Sequence, residues 1–137
     1  MKKLLLVSVM ILTVVLLAAP AAQAQSDGPV FEMRTYTAVE GRFPDVLARF
    51  RDHTLRFFEK HGMENVGYWV PADPPLSQNT LVYILKHKSR AAAAASWAAF
   101  RKDPGWLKAQ KDSEANGKIV VKAESVFLNA TDFSKLK

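Results

Sequence analysis

Residues 79–106 read NTLVYILKHKSRAAAAASWAAFRKDPGW, and this stretch decides the fold. Thr80 to His87 is a run of β-branched and aromatic residues of strand length. Ser89 follows where a hydroxyl accepts a free first-turn N–H. A helix to about Lys102 then carries Trp97 and Phe100, three apart and therefore neighbours on one face. Asp103-Pro104-Gly105-Trp106 opens a further helical piece to about Asn116-Gly117, with Asp as cap and Pro preorganising the first turn.

Working outward, Val30 to Thr37 alternates, placing Phe31, Met33, Thr35 and Thr37 on one face and Glu32, Arg34 and Tyr36 on the other. Glu40-Gly41-Arg42 is a turn. Phe43, Val46, Leu47, Phe50, Thr54, Phe57 and Phe58 then recur at steps of three and four, with Asp45, Arg49, Asp52, Arg56 and Glu59 on the far side. Gly62 stops this amphipathic helix. Glu64 to Val70 reads as a second strand, and the proline-bearing stretch Pro71 to Asn79 as a loop. Ile119 to Leu128 reads as the last strand, followed by a polar tail. The order is β-α-β-β-α-β, an α+β ferredoxin-like fold with an antiparallel four-stranded sheet and two helices on one face. The bare face is expected to display Tyr36, a side of Tyr68 or Trp69, and either Val82 and Ile84 or Leu81 and Tyr83. Monomers seldom expose so large an apolar area, so two sheets are expected to meet face to face in a symmetric homodimer. A tail or extra helix over the sheet is the alternative.

The first residues set the compartment. Lys2 and Lys3 precede a 16-residue apolar run, Leu4 to Ala19, then Pro20 and the small-residue pattern Ala22-Gln23-Ala24. This is the pattern of a secretory signal peptide over residues 1–24. As a helix the run reaches roughly 24 Å, short of a ~30 Å hydrocarbon core. Residues 25–29 are a short linker, 30–133 the domain and 134–137 a tail. The expected mature protein starts at Gln25 and is periplasmic or secreted. With no cysteine in the chain, it carries no lipid anchor at the cleavage site, no disulfide and no thiolate chemistry. Removing the leader leaves 17 basic against 13 acidic residues, a dispersed excess that implies solubility and not a nucleic-acid or membrane partner.

Several stretches resemble the NIPSNAP family. They are Phe31-Glu32-Met33-Arg34-Thr35-Tyr36-Thr37, Phe57-Phe58-Glu59-Lys60-His61-Gly62-Met63, Asn79 to Tyr83, Ser96 to Trp106 and Glu124-Ser125-Val126-Phe127-Leu128. The resemblance implies a dimeric α+β barrel. It implies no defined activity, since animal members are associated with vesicle trafficking and mitochondrial quality control. The wider superfamily with this barrel includes cofactor-free monooxygenases, haem-degrading enzymes, lactone isomerases and mutarotases, and the fold alone does not choose among them.

The chemistry-bearing residues are few. His53 lies near the edge of the first helix's apolar stripe, either facing a helix–sheet cavity as a candidate general base or as a half-buried structural histidine. His61 suits a helix C-terminus, and His87 reads as a solvated strand end. The three histidines lack metal-ligand spacing, so no metal and no cofactor are expected. Arg34 and Tyr36 are candidate binding residues, with Arg34 able to grip a carboxylate or carbonyl ligand, or to pair across strands with Glu124. Tyr83, Trp97 and Trp106 are candidate walls of an apolar pocket, or plain core. No nucleophile elbow, phosphate loop or dinucleotide fingerprint is present. Two functional expectations follow: a homodimeric barrel that binds a small apolar molecule or a protein partner, and a cofactor-independent monooxygenase or isomerase with a pocket between helices and sheet.

Overall fold

In the computed structural model, which describes residues 28–137, strand β1 (Val30–Ala38) pairs on both sides and organises the sheet. One neighbour is β3 (Thr80–His87), with Arg34 opposite Tyr83; the other is β4 (Val120–Leu128), with Arg34 opposite Ser125. Strand β2 (Glu64–Trp69) adds to the far side of β3, giving the antiparallel order β2-β3-β1-β4. The signal peptide expected at residues 1–24 lies outside the described residues. Among the described residues, no helix is long and apolar enough to cross a membrane.

The first helix is not uniform. It runs as α1 (Phe43–Arg49), a π turn over Phe50–Thr54, and α2 (Leu55–Lys60). The Thr54 hydroxyl donates to the Arg49 carbonyl five residues back at 3.1 Å. This extra residue per turn keeps Phe50 and Thr54 on the same buried face as Val46, Phe57 and Phe58. Arg49, which ends α1 three residues after buried Val46, also turns inward, contrary to its expected place on the solvated side. Arg49 is 5% exposed and reaches across to Ser113 Oγ at 3.3 Å and Glu114 Oε1 at 3.0 Å.

Helix α3 (Arg90–Phe100) starts where the sequence placed it: Ser89 Oγ accepts from Ala92 N at 3.0 Å. Helix α4 (Pro104–Ser113) is capped by Asp103, whose Oδ1 accepts from Gly105 N at 2.8 Å and Trp106 N at 3.3 Å. The other Asp103 oxygen holds Lys60 Nζ at 2.6 Å and His61 Nε2 at 2.8 Å. One carboxylate thus closes α4 and ties it to the end of α2, and these partners depress its pKa below the usual carboxylate range.

Between the layers is an aromatic core. Tyr83, fully buried, stacks on Tyr68 at 5.4 Å and on Phe58 at 5.9 Å, and Phe50 and Tyr36 meet it edge-on. Burying one ring such as Phe58 contributes roughly 2–3 kcal/mol, so this cluster fixes the helix layer on the sheet.

The faces of the sheet differ from expectation in one respect. Tyr36 lies beneath the helices, not on the open face, because Glu32, Arg34 and Tyr36 are the side of β1 that α3 and the π turn cover. The open face carries Met33, Thr35, Val82 and Ile84, with Val126 and Trp69 about half exposed. The tail after β4 packs near Phe31, Ile84 and Leu128 at one corner and leaves Phe133 84% exposed.

Candidate functional site

The most constrained polar group in the protein is the carboxylate of Glu32, in the middle of β1 and 1% exposed. Oε1 accepts from Arg34 Nη1 at 2.6 Å and from Ser125 Oγ at 2.7 Å. Oε2 accepts from Trp97 Nε1 at 2.7 Å and from His87 Nε2 at 2.9 Å. Residues from β1, β3, α3 and β4 therefore converge on one side chain. Burial alone would raise its pKa, yet the donors from His87, Ser125, Trp97 and Arg34 outweigh that and lower it to about 2.

This network sets the pose of Arg34. One end of its guanidinium is held by Glu32, and its Cζ lies 4.4 Å from the centre of the Trp97 ring and 5.7 Å from that of Tyr36. Such cation–π contacts contribute about 1 kcal/mol each and fix orientation. Arg34 Nε is buried with no partner among the described residues. The same holds for the hydroxyl of Tyr83, its cross-strand neighbour. Burial pushes the Tyr83 phenol well above the ordinary tyrosine range, so it is a neutral O–H donor.

A cleft of about 280 Å³ opens between the helices and the sheet. Tyr36, Phe50, Phe58, Phe100 and Trp106 form its apolar walls. Arg49, Glu114 and Lys118 lie at its polar rim. The helix layer does not cover β4, where Ala123 and Ser125 stay exposed on the helix-facing side, and the cleft is open along that strand.

The expected site residues divide accordingly. Arg34, Tyr36, Tyr83 and Trp97 gather at the helix–sheet boundary, but of the expected binding residues only Tyr36 and Trp106 line the cleft. His53 does not. It sits in a groove of about 560 Å³ on the outer flank between α1 and α4, with its Nδ1 3.2 Å from Arg56 Nη2. Position 53 falls within the π turn, on the flank that faces α4 and not the sheet. The Arg34–Glu124 pair is also absent: the register sets Glu124 opposite Thr35 on the other face, where it bonds Lys122 at 2.8 Å. His87 is not a solvated strand end but 2% exposed, because it closes the Glu32 network. Among the described residues no group of three or more His, Asp or Glu is arranged to hold a metal ion. Sequence reasoning missed Glu32 as the organising group and Arg49 as a cleft residue. The alternation of β1 was the available signal for Glu32, since it lies on the same face as Arg34.

A four-stranded antiparallel sheet with one helical layer and a cleft between them defines an α+β protein of ferredoxin-like class. The chain belongs to the NIPSNAP family, whose family model matches residues 31–135. A NIPSNAP family protein of unknown function from Agrobacterium tumefaciens has a similar structure, with 26% identity and a TM-score of 0.69 over 82% of this chain and 96% of that one. A NIPSNAP-like domain protein from Burkholderia xenovorans is similar at 17% identity and a TM-score of 0.67, over 79% of this chain and 90% of that one. A Nitrosomonas europaea protein, provisionally described as an antibiotic biosynthesis monooxygenase, shares the fold at 15% identity and a TM-score of 0.52, over 74% and 97%. No curated protein matches this chain.

Proposed function

We propose that this protein is exported and, as a homodimer, binds a small, flat, largely apolar molecule in the cleft between its helices and sheet. The observation that carries this reading is the cleft itself: about 280 Å³ walled by aromatic rings, with the Arg49–Glu114 pair and Lys118 at its polar rim. Binding sites combine apolar walls with a few placed polar groups in this way. Export rests on the leader pattern of residues 1–24. Dimerisation rests on the partly apolar open face, where Trp69 and Val126 stay about half exposed.

Binding without turnover is favoured over the alternative, a cofactor-independent monooxygenase or isomerase, by the placement of the acid–base groups. Glu32 is already saturated by four donors, and His53 lines the outer groove between α1 and α4 and not the cleft. Titration with 2-methylnaphthalene followed by amide and indole NMR shifts tests the site. Shifts should centre on Tyr36, Phe100 and Trp106, and Trp106→Ala should weaken binding. Saturable shifts confined to the His53 groove, or none at all, would refute the reading. The exported product should begin at Gln25 by intact mass. Light scattering should give twice the mature mass, falling to the monomer in Val126→Lys.

A further inference from the structure

We propose that the molecule this cleft takes is a flat organic acid, its aromatic body among the rings and its carboxylate at the mouth between Arg49 and Lys118. This deepens the binding reading above and depends on it.

Three charged side chains line the cleft, Arg49, Glu114 and Lys118, so two cations face one carboxylate. Arg49 already holds Glu114 at 3.0 Å, and that pair balances itself. Lys118 is exposed and forms no ion pair among the described residues, which leaves its charge uncompensated at the mouth. Its position there is set by the backbone. Gly117 N donates to the Glu114 carbonyl at 2.9 Å, and Gly117 closes this turn at φ 101°, a conformation that favours glycine. On the other side of Lys118, Ile119 is fully buried and its carbonyl accepts from Val39 N at 3.0 Å. A tight turn and a buried anchor therefore bracket this lysine.

Arg49 supplies the second donor. It lines the cleft and is 5% exposed, yet only its Nη1 is engaged, on Ser113 Oγ and Glu114 Oε1. Nε is enclosed without a partner, whereas Nη2 forms no hydrogen bond among the described residues and is not enclosed. Buried charges in folded proteins are normally surrounded by acceptors, and this guanidinium is short of them. A carboxylate at the mouth gives Nη2 an acceptor and Lys118 a counter-charge; a neutral ligand gives Lys118 none. The Arg49 Cζ is 5.5 Å from the centre of the Trp106 ring, which walls the cleft with Phe50 and Phe100. Charge and ring adjoin here as the two ends of an aryl acid do. Arg49 also lines the outer groove, but Asp45, Asp52 and Asp112 line it too, and no phenyl, phenol or indole ring does. An aryl anion is favoured on the cleft side.

Two matched probes, 2-naphthoate and 2-naphthamide, are titrated by NMR into wild type, Lys118→Met, Lys118→Glu and Arg49→Gln. Each protein is read by its own ratio of the two affinities, which cancels any general change in the cleft. Wild type should favour naphthoate at least about tenfold, which is about 1.4 kcal/mol. Shifts should centre on Tyr36, Phe100 and Trp106, and the preference should shrink as salt is raised, because a charge at an open mouth is screened. Lys118→Met should cut the ratio by about threefold, the size of an exposed ion pair. Lys118→Glu should erase the preference, and Arg49→Gln should reduce it. A wild-type ratio near one would overturn the acid assignment and leave the apolar cleft standing. So would a ratio left unchanged by Lys118→Glu or by a folded Arg49→Gln, or naphthoate shifts confined to Asp52 and His53. Failure of both probes to bind wild type would overturn the cleft reading and this one together. Should Arg49→Gln lose its dispersed amide spectrum, the wild-type ratio and the two variants at exposed Lys118 still decide the matter.

Discussion

The indole N–H of Trp97 donates to Glu32 Oε2 at 2.7 Å, joining helix α3 to the central strand across 65 positions of sequence. Trp97 also supplies the face on which the Arg34 guanidinium rests. One side chain therefore fixes the acceptor that holds the arginine and the surface that orients it. This makes Trp97 more than core filling, although it is 8% exposed and packs edge-on against Phe58 and Phe100.

Trp97→Phe separates the two roles, since it keeps an aromatic face and removes the N–H. A hydrogen bond to a charged, buried acceptor is worth about 1.5–3 kcal/mol, so the unfolding free energy should fall by that amount, read as a lower urea midpoint with the slope unchanged. An unaltered midpoint would mean that the remaining three donors satisfy Glu32 fully.

Acid stability should also report on Glu32. Its folded pKa is lowered to about 2, while the unfolded chain has a carboxyl of ordinary acidity, near ~4.3. A depressed folded pKa means that the stabilisation is complete above the unfolded value and disappears as pH falls toward the folded one. Between about pH 4.3 and pH 2, wild type should lose roughly 2–4 kcal/mol from this group alone. Glu32→Gln cannot ionise, so its deficit relative to wild type should shrink across that window. Chemical unfolding of both proteins at pH 7, 4 and 2.5 measures it; a constant difference between them would contradict the assignment. Using the difference cancels Asp103, whose pKa is depressed too.

Much of this architecture was legible in the sequence because its signals are local. Ser89 and Asp103 cap their helices as expected, and the Val30–Thr37 alternation gave the correct partition of residues between two faces. Local signals did not say which face met the helices. Phe31, Met33, Thr35 and Thr37 look the more apolar set, yet the helices cover Glu32, Arg34 and Tyr36, because Trp97 and His87 from distant segments neutralise the polar groups there. The one-residue offset that separates Arg34 from Glu124 has the same origin, since register is a property of the assembled sheet. The π turn at Phe50–Thr54 was illegible for a different reason. A five-residue widening leaves the apolar steps of three and four nearly intact while it sets His53 against α4.

Tyr83→Phe should stabilise the ligand-free protein. The ring stays in its stack with Tyr68 and Phe58, and only a buried hydroxyl without a partner is removed. An unsatisfied buried polar group carries a penalty of about 1–3 kcal/mol, so part of that should return as a rise in Tm. At the size of this domain about 1 kcal/mol corresponds to roughly 4–8 °C. A drop in Tm by scanning calorimetry would indicate that the hydroxyl is satisfied in solution.

Gly105→Ala should destabilise the protein even though Gly105 has ordinary backbone geometry and sits in the first turn of α4. A Cβ at this position would lie 2.9 Å from Cε1 and Cζ of Phe57, with Asp103 Oδ1 at 3.2 Å. Phe57 cannot simply swing away, because its ring packs edge-on against Trp106 and lies in the buried core between α2 and α4. Helix propensity favours alanine by up to about 1 kcal/mol, whereas overpacking a fixed ring costs about 1–3 kcal/mol, so packing decides the sign. The variant should unfold at lower urea than wild type. The paired substitution Gly105→Ala with Phe57→Leu should recover part of the loss, because the shorter side chain frees the space. If Gly105→Ala is instead as stable as wild type, α4 and α2 are not held at the separation seen here, and the Asp103 tie between them is looser than its hydrogen bonds imply.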